Sequence, residues 1–219
     1  MSDKDSTSIQ EQVASATEQG KDLHARVRDI TLRALSRQAL SAKEIVAVVR
    51  AVTEGVSLGL GRHAGEIQGA VRDALGGLDE ALKKSAEATK LAAQQLIAQG
   101  KEFGAQDLKP AIDELRQMEG IFLGALSKVT DAASGRIKAE FAAQLEHARR
   151  SGTDSGRLIA DTMADFSQRA TAALKGGAQQ AAGATQEMQQ RLSLLASGIL
   201  AGMADALHAK AKPEVRKTP

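Results

Sequence analysis

A chain of 219 residues with 29 basic and 27 acidic side chains carries a net charge of +2, no cysteine, no tryptophan, no tyrosine and four phenylalanines. The missing thiols exclude a disulfide framework, a thiolate nucleophile and a thiolate metal site, and charges of both signs mixed along the chain leave no single-sign field to draw in nucleic acid or a membrane. Aromatics make up 2%, and at about 0.8 kcal/mol per buried methylene an Ala-rich helix stabilises little per residue, so it must pack over a long interface or between chains.

The N-terminus, MSDKDSTSIQEQ, is polar and lacks the basic and apolar regions of a signal peptide; residues 1–7 are expected to be disordered, with a single all-helical domain over 8–209. Ile9, Val13, Ala16, Gly20, Leu23, Val27, Ile30 and Ala34 step by alternating four and three, which predicts one long helix with a heptad seam. Ser8 with Glu11 reads as a capping box at its start, and Ser41 with Glu44 as the box of the next helix. The chain is expected to turn near Arg37 to Leu40.

Residues 55–70, GVSLGLGRHAGEIQGA, contain Gly59-x-Gly61-x-x-Ala64, the spacing of a dinucleotide cradle. Such a cradle needs a strand before it and an acidic residue on a second strand about 20 positions later. Asp79 and Glu80 instead lie within helical periodicity, so the stretch predicts close helix packing. Gly61, Gly65 and Gly69, four residues apart, would let a neighbouring backbone approach; a break near 55–61 and a continuous helix through 55–69 are alternatives that the sequence leaves open.

From about Arg62 a long helix is predicted to Gly100, with the seam Ile67, Val71, Ala74, Leu78, Leu82, Ser85, Thr89, Ala92, Leu96 and Phe103. Asp107 is expected to cap a further helix with Pro110 in its first turn, running unbroken to about Arg150 over roughly 60 Å. SGTDSG, residues 151–156, breaks it, with Ser151 and Asp154 as a box, and a last helix is predicted from Gly156 to His208. Residues 210–219 form a basic, Pro-punctuated tail that is expected to be disordered. The expectation is therefore an all-α fold of about five helices, several long and amphipathic, in an elongated bundle or coiled-coil-like arrangement.

No constellation points to catalysis, a cofactor or a metal. His24, His63, His147 and His208 stand apart, outside any H-x-x-x-H or E-x-x-H pair, and solvent-facing helix positions account for them. The longest uncharged apolar stretch, Leu192 to Ala204, is 13 residues, short of the roughly 20 that span a bilayer. The expectation is a cytoplasmic protein without a transmembrane segment.

Residues 40–57, LSAKEIVAVVRAVTEGVS, resemble the first half of the helix-turn-helix of response-regulator-type transcription factors at Leu40, Ser41, Glu44, Gly55 and Ser57. That resemblance implies a DNA-binding regulator, but LGLGRHAGEIQG, which follows, lacks the polar side chains and basic footprint of a recognition helix.

SAEATKLAAQQLIAQGKEF and RATAALKGGAQQAAGATQEMQQRLSLLASGILAGMADAL resemble phasins, the amphipathic helical proteins that coat bacterial polyester granules. The chain also resembles an uncharacterised bacterial family of helical proteins. The phasin resemblance implies a non-enzymatic protein that self-associates and coats a hydrophobic inclusion. The competing reading is a homo-oligomeric coiled-coil scaffold. In either case Leu192, Leu195, Ile199 and Met203, together with Ile9, Val13, Leu23, Val27 and Ile30, are the expected interaction surface. The partner is the chain itself or an apolar granule, with no specific nucleic acid.

Overall fold

The computed structural model describes residues 3–37, 42–98, 105–162, 164 and 185–211. All regular structure among them is helical, as the absence of period-two alternation predicts. Seven helices are delimited in place of about five: α1 (Asp3–Gln19), α2 (Leu23–Ser36), α3 (Ala42–Leu60), α4 (Ile67–Ala98), α5 (Ala105–Ala132), α6 (Gly135–Ser151) and α7 (Thr185–Ala211). Residues 154–162 and 164 are also helical.

Two predicted helices are each divided. The seam from Ile9 to Ala34 is cut at residues 20–22, where Gly20 (φ 67°) and Asp22 (φ 50°) adopt left-handed backbone. This conformation ends a helix. The predicted rod from Leu108 to Arg150 stops at Ala132 and restarts at Gly135, which has φ 57°. By contrast, the break expected at 151–156 is present at residues 152–153, with Gly152 at φ 71°.

The helix starts also differ from the expected caps. α1 begins at Asp3, so residues 3–7 are helical and Ser8 lies inside the helix, where its hydroxyl accepts from Gln12 Nε2. α5 begins at Ala105, which places Pro110 beyond the first turn. Thr153, not Ser151, caps the segment 154–162, its hydroxyl accepting from the Gly156 N–H (2.9 Å).

α4 is the central element. α2 and α7 pack along it, and α3, α5 and α6 also touch it, while α1 lies on α3 and α5 on both α3 and α6. The predicted α4 seam is buried from Val71 to Ala92, but so are Ala70, Leu75, Ala81, Ala86, Ala88 and Ala93. A helix wrapped by neighbours buries more than one stripe, and Ala is the side chain that lets several helices approach one axis.

Most of the core's hydroxyls need no distant partner, the buried Ser155 apart. Thr17, Thr31, Thr53, Ser85, Thr89, Thr130 and Thr162 each donate to the carbonyl four residues earlier. Burial therefore leaves no unpaired donor on these side chains.

Candidate functional site

The places where backbones meet most closely are set by glycine. A Cβ on Gly55 would lie 2.6 Å from the Gln10 carbonyl oxygen, one on Gly59 would collide with the Ala14 carbonyl, and one on Gly77 with that of His24. The α1–α3 contact thus uses Gly55 and Gly59, four residues apart. Gly61 and Gly65, two of the three predicted packing glycines, fall in the connection 61–66, and Gly69 lies in the first turn of α4. A Cβ at Gly65 or Gly69 would meet His63 or Glu66, local side chains and not a neighbouring helix. The four-residue spacing points to the right region and falls one step too late.

The dinucleotide cradle has no counterpart. The EIVAVV run and Gly59 belong to α3, and no strand precedes them among the described residues. The 40–57 segment behaves alike: residues 42–57 lie in one uninterrupted helix with Val48, Val49, Val52 and Val56 fully buried.

Asp79 and Glu80, which stand where a cradle would place its ribose ligand, act as structural pins on α4. The Asp79 carboxylate accepts from the Asp154 N–H (2.9 Å), the Ser155 N–H (3.3 Å) and the Ser155 hydroxyl, which fixes the turn into 154–162. Glu80 accepts from His24 Nε2 at 2.8 Å and faces Arg28 Nη1 at 3.5 Å, joining α2 to α4. His63 Nδ1 donates to the Glu18 carbonyl (3.1 Å) and so ties the α3–α4 connection to the end of α1. Two of the four histidines therefore hold helices together. A signal for these roles existed only in their position beside Gly20 and Gly77, which pairwise spacing does not reveal.

Near the Asp79 pin a cavity of 230 Å³ is lined by Arg72, Gln144, His147 and Arg157 over Phe122 and Leu126. Arg157 is already paired with Asp154, and Asp79 already accepts three hydrogen bonds. Among the described residues no three His, Cys, Asp or Glu side chains are grouped to hold a metal ion.

The predicted interaction residues are distributed between core and surface. Ile9, Val13, Leu23, Val27 and Leu192 are buried inside the chain, Ile30, Leu195 and Ile199 are half-buried against that core, and Met203 is half-buried. The apolar side chain left in solvent on α7 is Leu194, 66% exposed. Gly198 and Gly202 continue its face, exposed and with nothing within 4 Å of a Cβ. No charge occurs between Arg191 and Asp205. The stretch is legible in the sequence but its register is not, because adjacent apolar residues leave the outward one undetermined until α7 is docked through Leu192, Ala196, Leu200 and Ala204.

A second apolar surface lies between α3 and α5. This groove, 510 Å³, runs past Val46, Arg50 and Glu54 on α3 and Gly120, Ile121, Gly124, Ala125 and Lys128 on α5. Val46 is 44% exposed, and Gly120 and Gly124 are as open as Gly198 and Gly202. On the rim, Arg50 Nε donates to Glu54 Oε1 at 2.7 Å. That hydrogen bond first, and the opposite charge second, raise the Arg50 pKa above its ordinary value.

Fold and surface together define an all-helical bundle with open apolar faces. The chain belongs to the family of unknown function DUF6781, which it matches over residues 1–209. No curated protein and no solved structure matches it. No helix among the described residues is long and apolar enough to cross a membrane.

Proposed function

We propose that this chain is a non-enzymatic, self-associating helical-bundle protein whose contact surface is the outside of a closed bundle. The observation that carries the reading is the α7 outer face, on which Leu194 is 66% exposed in a stretch free of charge from Leu192 to Ala204. Glycine inside a helix costs about 1 kcal/mol relative to Ala, yet Gly198 and Gly202 neither adopt positive φ nor admit a neighbour within the chain. The α1–α3 contact, at Gly55 and Gly59, uses the same four-residue spacing.

Coating a hydrophobic inclusion, which the phasin resemblance implies, would place a different demand on the fold. The described part of SAEATKLAAQQLIAQGKEF carries Ser85, Ala86, Ala88, Thr89, Ala92 and Ala93 in the core and leaves Leu91 exposed, so most of its apolar face reaches a granule only if the bundle opens. Residues 165–184, which include the first part of the second quoted stretch, lie outside the described residues.

Light scattering after size exclusion, with wild type and Leu194→Asp, tests the reading. Wild type should run as an oligomer and Leu194→Asp should move toward the monomer with its helicity retained. A wild type that is monomeric in solution and pellets with polyester particles would replace self-association with the coating function.

A further inference from the structure

The two open faces differ in their charges, and the difference is complementary. On α5, Gly120, Gly124 and Lys128 recur every four residues; on α7, Gly198, Gly202 and Asp205 recur at four and three, so each row lies on one side of its helix. Lys128 and Asp205 are exposed, and neither forms an ion pair among the described residues. Measured from the middle of its glycine pair, Lys128 lies about 9 Å and Asp205 about 7.5 Å toward the C-terminus at 1.5 Å per residue.

We propose that the α7 outer face of one copy docks in the α3–α5 groove of a second copy, with the helices parallel, glycine pair against glycine pair, and Asp205 of one chain opposite Lys128 of the next. The inference rests on the self-association reading and names its geometry. In this register Gly198, Gly202 and Asp205 run along the 510 Å³ groove beside Ile121, and Leu194 lies one turn before Gly120, at the end of the groove. The open glycines let the backbones approach, as Gly55 and Gly59 do inside the chain. Among the described residues the two faces of one chain do not meet, since nothing lies within 4 Å of a Cβ at any of the four glycines. The contact joins two different surfaces, so it is heterologous and leaves each end of a dimer able to add another copy. Assembly therefore continues to a ring or an open chain.

Charge reversal tests this on the full chain, because both side chains are exposed. Lys128→Glu alone puts like charges in the contact, as does Asp205→Lys alone, and each should weaken association by about five- to tenfold at low salt. An equimolar mixture of the two variants should recover it. The first variant keeps Asp205 on its α7 face and the second keeps Lys128 in its groove, so those two surfaces fit, and the two reversed surfaces, a basic α7 face and an acidic groove, fit each other as well. Sedimentation velocity of each variant and of the mixture reads the outcome, with circular dichroism as the check on folding. If wild type associates while the single variants are unchanged or the mixture stays dissociated, this geometry is wrong and self-association stands. If wild type is monomeric throughout, both fail.

Discussion

At the scale of single residues the glycines sort by what a methyl group would meet. Gly59→Ala gains about 1 kcal/mol in helix propensity but drives a Cβ into the Ala14 carbonyl and the Thr17 side chain, a backbone clash that a helix pair relieves only by separating. The expected net loss is about 1–3 kcal/mol. Gly202→Ala meets nothing and should gain about 0.5–1 kcal/mol, so urea midpoints of the two variants should shift in opposite directions. Equal shifts would mean that α1 and α3 are not in close contact. The spacing of small residues is legible in the sequence, but Gly55, Gly59, Gly61, Gly65 and Gly69 satisfy it almost equally. Which pair packs depends on α3 ending at Leu60, and periodicity does not specify that residue. Asp79 is less legible still. Its partners lie 75 and 76 positions away, and no local pattern joins a carboxylate to a helix start at that distance. Asp79→Ala leaves two N–H groups and a hydroxyl without their acceptor, at a cost of about 1–3 kcal/mol, and should speed amide exchange at Asp154 and Ser155. Unchanged exchange there would remove the pin.

At the scale of helices, the apolar positions are legible in the sequence and the chain breaks only in part. Val71, Ala74, Leu78, Leu82, Ser85, Thr89 and Ala92 are buried as the seam predicts, because a stripe every three or four residues faces inward whatever covers it. The cuts at 20–22 and 133–134 are invisible to periodicity since the apolar phase runs on across them: Leu23 continues the register of Ile9, and Ile137 that of Val129. The single glycines at these cuts, Gly20 and Gly135, are absorbed by the apolar phase around them, whereas the clustered Gly, Ser and Thr of 151–156 mark an end. The Ala-rich half of α4 distinguishes a closed bundle from a helix that awaits a surface. Ala88 is fully buried, so Ala88→Glu would place a charge in the core without a partner, a penalty of several kcal/mol against a total stability of about 5–15 kcal/mol. The expected result is loss of cooperative thermal unfolding. A variant that melts like wild type would show that this face of α4 is open to solvent.

At the scale of the molecule, the chain satisfies most of its apolar seam internally and still exposes Leu194 and the α3–α5 groove. We propose that any association adds to a bundle already closed, and does not complete an unfinished core. Hydrogen exchange followed over a series of protein concentrations tests it most directly. Amides of α4 from Ala86 to Ala93 should show the same strong protection at every concentration, while protection over α7 from Leu194 to Ala204 rises as the protein associates. Protection of α4 that falls on dilution together with that of α7 would mean that the core is built between chains, and would contradict the account.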